Sequence, residues 1–367
     1  MISRAADARV LAAWFNHQSA LASTRMKKSL LKWLQIISFM AGLALFAYLI
    51  RQTGVDNIVH YLAMMGWGFA AILALSAARN LLRAASWYYA IDPPHRQITF
   101  WSLMNAMLAG EAIKYLTATG PLLGEPAKAA MVRREVPLVE GFSSVIVENL
   151  IYNLTVFLVM LGGLPALAWL IDVPHRLQVA AWLFAATLLA AIGFVWLAVR
   201  GRWFILARML EQLRRLTARR LTAGQESRSL RLVTAIARVR EVEANVYAFY
   251  EQRRGAFFGI FVVNLLAHLI NVIEVCLILA LMDLPASLAA GFVVEAVTKV
   301  INGAFFFVPT RAGVYESGNA LTLQAIGLGS SAGVALAIIR KLRAFVWIAY
   351  GLGAIAALTF KDRRAKT

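Results

Sequence analysis

Residues 256–282 read AFFGIFVVNLLAHLINVIEVCLILALM, a run without Lys or Arg whose one acidic side chain is Glu274. About 20 apolar residues cover the hydrocarbon thickness of a bilayer as a helix. The stretch is therefore long enough to cross, and its apolar residues form a continuous span rather than one stripe of a soluble helix. Five further segments read the same way: 30–50, 61–82, 141–164, 177–199 and 331–360. The composition agrees, with 60% hydrophobic and 15% charged residues, 24 Gly and 10 Trp. Soluble domains carry about a quarter charged residues, whereas close-packed membrane helices favour Gly, and Trp collects at the headgroup level.

Two more apolar stretches, 98–120 and 286–308, are less ordinary. Each holds Glu and Lys near its middle and ends in a Pro/Gly-rich turn. Charge placement suggests how they run. With a cytoplasmic amino terminus, six crossings and both odd stretches entering and returning on one side, 28 of the 37 Lys and Arg fall in cytoplasmic segments, and only Arg51, Arg176 and Arg311 face outside. Letting 98–120 cross would move Lys128, Arg133 and Arg134 outside and swap the later segments, against the positive-inside rule. Non-helical backbone at membrane depth survives inside protein or beside water, which suits the turns.

The expected fold is therefore all-α: a polytopic membrane protein of about six transmembrane helices and two re-entrant hairpins. Its parts are a basic arm (1–28), a first membrane half (29–199, hairpin 98–134), a basic cytoplasmic segment (200–254), a second membrane half (255–360, hairpin 286–330) and a basic tail (361–367). Segment 200–254 holds 13 Arg against 5 Glu with apolar residues at helical spacing, the pattern of one or two amphipathic helices at a membrane surface. The net charge of +18 flanks apolar spans, which points to anionic lipid headgroups rather than nucleic acid. The lone Cys276 forms no internal disulfide, no Cys/His spacing suits a metal, and no GxxxxGK[ST] phosphate loop occurs, so neither metal nor cofactor is expected.

The two odd stretches also resemble each other. EAIKYLTATGPLLGEPAKAA starts at Glu111 and EAVTKVINGAFFFVPTRAGVYESGNA at Glu295. The order Glu111, Lys114, Pro121, Gly124, Glu125 parallels Glu295, Lys299, Pro309, Gly313, Glu316. Dipping from opposite sides, they would form an inverted repeat, where broken helices build a midplane substrate site. Glu111 with Lys114, and Glu295 with Lys299, stand one turn apart and could equally neutralise each other or contact substrate. Glu148, with Asn149 and Asn153, is a costly intramembrane carboxylate that favours function. Arg340, Lys341 and Arg343 fall near mid-depth if the last span begins at Ser331 and then suit an anionic headgroup; a break near Gly327–Gly333 would instead place them at an interface. Arg79 and Arg83 read as cytoplasmic topology anchors; Asn271 and Glu274 receive no role.

RNLLRAASWYYAI, GEPAKAAMVRR, SVIVENLIYNL, VPTRAGVYESG and IIRKLRAFVWIAYGLG together resemble the flippase-like membrane region of lysylphosphatidylglycerol synthases, over about residues 30–360. The IIRKLR element is also similar to the branch associated with hopanoid biosynthesis. The resemblance implies movement of a lipid or lipid-linked headgroup between leaflets of a cytoplasmic membrane, and the charge asymmetry places both termini on the cytoplasmic side. Its motifs carry functional roles onto Gly124, Glu125 and Lys128, then Glu148, then Pro309, Arg311, Gly313 and Glu316. Two positions depart from the family pattern: Asn149 stands where Arg is usual, and Arg311-Ala312 replaces a second Gly. The expected partners are anionic membrane lipids, with lipid-biosynthesis proteins as a further class. A membrane enzyme using Glu125, Glu148 or Glu316 as acid or base is the alternative, and a non-transporting member of a lipid-synthesis complex stands behind it.

Overall fold

The computed structural model describes residues 51, 55–116, 120–170, 175–218, 226–306, 308 and 311–364. The basic arm, the span 30–50, Pro309 and residues 365–367 lie outside them. The described residues form twelve α-helices, one short 3-10 turn at Pro93–His95, and no strand.

Helix α1 (Val55–Met65) and α2 (Gly68–Ala90) are separate helices. The single span expected over 61–82 is therefore broken, because Gly66 takes a left-handed φ of +40° that stops one helix before the next begins. Helix α2 also runs eight residues further than that span. Its last turn carries the buried Trp87, whose indole donates to Ser144 at 3.1 Å. Pro93 and Pro94 then prevent its continuation.

Helices α3 (Phe100–Leu116) and α4 (Gly120–Met131) form the first hairpin. Pro121 sits at the first turn of α4, where its missing N–H costs nothing. Gly110 and Gly124 face one another across the hairpin: a Cβ on Gly124 would lie 2.7 Å from the Gly110 carbonyl oxygen. Helix α5 (Leu138–Leu170) and α6 (His175–Arg200) follow, then α7 (Ile205–Ala218) and α8 (Glu226–Gln252). The buried Glu243 of α8 accepts the Leu206 and Ala207 N–H groups at 2.8 and 3.2 Å, fastening the start of α7. Arg253, between α8 and α9 (Arg254–Leu281), donates to the Tyr89 and Ile91 carbonyls at the end of α2, at 2.8 and 3.2 Å. The second hairpin is α10 (Leu288–Ala304) and α11 (Val314–Ala325), and α12 (Ser330–Arg364) closes the chain.

Helices α2 and α9 make the largest interhelical contact. Around them α3 packs on α12, α10 packs on α5, and each hairpin helix packs on its own mate. Small residues permit the crossings: a Cβ on Gly351 would meet the Leu108 carbonyl at 2.4 Å, and one on Gly163 would overlap Ala296. Leu138–Leu167, Gln178–Arg200 and Arg254–Leu281 are long and apolar enough to cross a membrane. On α6, Trp182, Leu183 and Leu189 are exposed, the inverse of a soluble helix. The chain is a multi-pass α-helical membrane protein.

Candidate functional site

Both hairpins, α2, α5, α9 and α12 enclose a cavity of about 800 Å³ with an unusual density of charge on its walls. At the first hairpin four side chains form a closed ring. Lys114 reaches Glu125 at 3.1 Å and Glu111 at 3.5 Å, and Lys128 reaches each of the same carboxylates at 3.0 Å. Asn149 donates to Glu125 at 2.8 Å. Glu111, Lys114 and Glu125 line the cavity, whereas Lys128, only 2% exposed, stands behind them. Gly124 contributes no side chain; it lets α3 and α4 approach closely enough for the ring to close.

Beside Asn149 on α5, Glu148 is buried and accepts Arg83 at 2.9 Å. The same guanidinium lies 3.8 Å over the ring of Tyr152, which stacks on His268. Arg83 is thus the counter-ion of Glu148 inside the bundle. The topology-anchor role that the sequence suggested for Arg79 and Arg83 misses this: both line the cavity. The signal was present, since Arg79, Asn80 and Arg83 lie within little more than one turn of an otherwise apolar helix.

The second cluster is buried more deeply: Asn271, Thr298, Lys299, Arg340, Lys341 and Arg343 line the cavity, while the carboxylates they hold stand behind them. Glu295, fully buried on α10, accepts Lys299 at 2.8 Å, Arg340 at 2.8 Å and Asn271 at 3.0 Å. Arg340 also approaches Glu274 at 3.4 Å and Thr298 at 3.4 Å, and Arg343 closes on Glu274 from the next turn of α12. Glu274 and Asn271, unassigned from sequence, are the shared partners that hold α9, α10 and α12 together.

Lys341 pairs with Glu316 of α11. Glu316 is fully buried and its other oxygen accepts the Gly313 N–H at 2.8 Å, capping its own helix. Gly313 supports this cap with φ of +78°. Glu316 and Gly313 therefore build the second turn and stand behind the cavity wall.

Arg311 does line the cavity, and its backbone holds a left-handed φ of +49°. Such a conformation is strained for a residue with a side chain. Among the described residues no carboxylate comes within ion-pair distance of Arg311 or Arg79; Arg79 bonds only to Asn80 at 3.0 Å and Asn271 at 3.4 Å. Six carboxylates (Glu111, Glu125, Glu148, Glu274, Glu295, Glu316) thus face seven paired cations and these two unpaired guanidiniums. The cavity carries an excess of positive charge. Groups of three or more possible metal ligands are absent among the described residues.

The chain has no match among curated proteins and none among solved structures. Its sequence does match the family described as the lysylphosphatidylglycerol synthase TM region, over residues 35–353, a range that takes in every residue lining the cavity. A multi-pass helical bundle whose charged cavity falls wholly inside that match belongs to the lysylphosphatidylglycerol synthase transmembrane region family, whose members are membrane proteins linked to lipid metabolism or translocation.

Proposed function

We propose that the protein moves an anionic or polar lipid headgroup between the leaflets of a cytoplasmic membrane. The observation that carries this reading is the surplus of guanidinium in a cavity enclosed by membrane helices. Hydrocarbon penalises each such charge by a few kcal/mol unless it has a use or a partner. Among the described residues Arg311 and Arg79 have no carboxylate to neutralise them, so an incoming anion supplies the missing charge, while the acyl chains stay among lipid tails. Paired carboxylates and cations around them replace the hydration that the headgroup leaves behind.

The inverted-repeat arrangement is part of the proposal. It is supported by the reciprocal packing of α3 on α12 and α10 on α5 about the α2–α9 pair. The matched Glu, Lys, Gly and Glu order of the hairpins supports it as well. The enzyme alternative has less to stand on, because Glu125, Glu148 and Glu316 are each committed to a cation.

The test is transbilayer movement of headgroup-diverse fluorescent lipids in vesicles holding the purified protein. Wild type should accelerate movement of an anionic lipid over protein-free vesicles. Arg311→Ala, removing a side chain with no ion pair to break, should slow it about tenfold or more, the worth of one charge-assisted contact, at unchanged melting temperature. No acceleration by wild type across the lipid panel would sink the reading, and chemical turnover of a headgroup by the same protein would favour the enzyme.

A further inference from the structure

A second, smaller cavity of about 170 Å³ lies between α5, α6 and α8, and it is chemically the opposite of the first. Its walls include Leu154 of α5, Val195 and Trp196 of α6, and Phe249 of α8. The two cavities share one strip of α5: Leu150, Asn153 and Phe157 line both. These three positions follow each other at helical spacing, so the charged cavity and the apolar groove meet along a single helix face. The groove's far wall is the least anchored of the crossing helices. Helix α6 packs mainly on α5 with a smaller contact to α8, and much of its outer surface is exposed apolar side chain.

We infer that this groove holds an acyl chain of the same lipid whose headgroup enters the charged cavity, and that the seam between α5 and α6 is the lateral opening through which the lipid comes. The inference rests on the translocation reading. A lipid is one molecule with a polar end and an apolar end, and the protein presents a charged chamber and an apolar groove on two sides of one helix face. Asn153, exposed and polar at their junction, matches the ester region between headgroup and chain. An annular lipid on the outside of α6 would need no such groove, and a groove that served only to seat α6 would need no common wall with the cavity.

Wild-type protein is reconstituted with a trace of phosphatidylglycerol carrying a photoreactive diazirine in mid-chain, and labelled peptides are mapped by mass spectrometry. Label should concentrate on residues 150–157 and 192–199. Val195→Trp, which fills the groove, should deplete that label and slow transbilayer movement by about tenfold, what burial of two methylene groups is worth. Leu154→Phe is the milder filling variant should Val195→Trp fail to fold. Label as dense on Trp182, Leu183 and Leu189 as in the groove, or a folded filling variant that moves lipid at the wild-type rate, would overturn the inference. If Arg311→Ala is slow while the filled groove is normal, the headgroup reading survives and the groove inference alone falls. If wild type moves no lipid, both fall.

Discussion

The two ion clusters around the cavity have similar charges and different accessibility. At the first hairpin, lysines hold the carboxylates, and the side chains of Glu111 and Lys114 are 40% and 27% exposed. In the second half, Arg340 and Arg343 hold Glu274 and Glu295, whose side chains are wholly buried. A guanidinium presents several donors in one plane and can serve two carboxylates at once, as Arg340 does for Glu295 and Glu274. An ammonium is a point charge on a flexible stem, which can change partners at little cost. The second cluster, with its carboxylates wholly buried, therefore reads as a clamp for α9, α10 and α12, although Lys299, Arg340 and Arg343 also line the cavity. The open one is the surface that can trade its internal partners for a ligand.

The largest effect should come from Arg340→Ala. It leaves Glu295 and Glu274 short of a buried counter-ion, an expected cost of about 3–5 kcal/mol, seen as a lowered melting temperature in detergent. A variant that melts like wild type and only slows lipid movement would dissolve the distinction between clamp and working surface. Gly124→Ala comes next. Its methyl group would meet the Gly110 carbonyl and the Lys114 stem across the first hairpin, and overpacking of this kind costs about 1–3 kcal/mol. Since it also spreads the ring, lipid movement should fall with it.

Lys114→Ala sharpens the comparison from the other side. Glu111 and Glu125 keep Lys128, and the lost pairs are partly solvated, so stability should fall by no more than about 1 kcal/mol. Transbilayer movement of an anionic lipid should nonetheless slow, measured at matched protein density in vesicles. If Lys114→Ala melts as badly as Arg340→Ala, the two clusters are the same device. Least of all should follow from Arg240→Ala, which removes a surface pair with Glu211 at 3.2 Å on α7 and α8. Melting should shift by well under about 1 kcal/mol, with lipid movement unchanged, and a larger loss would make the basic segment part of the working protein.

Several partnerships were partly legible. The one-turn spacing of Glu295 and Lys299 allowed the pair that forms, and Gly313-Val-Tyr-Glu316 carries a capping pattern at the right offset. Others had no local signal. Glu274 and Arg343 are 69 residues apart, and Arg83 and Glu148 are 65 apart; nothing near either pair names its mate. Arg79 and Arg83 looked like anchors because Arg at the end of an apolar run ordinarily marks an interface. Helix α2 continues past them to Ala90, carrying both into the bundle.

Apolar length, the scarcity of charge and the Pro/Gly turns are local properties, and solvation acts on them segment by segment. They were enough to determine a helical membrane protein, while its family was legible in the longer motifs. Which charge neutralises which, which glycine exists for a close crossing, and that Arg79 and Arg311 meet no carboxylate among the described residues depend on helices from distant parts of the chain meeting face to face. A buried charge is settled by whatever lies within a few ångströms of it, and that neighbourhood exists only after the helices have packed.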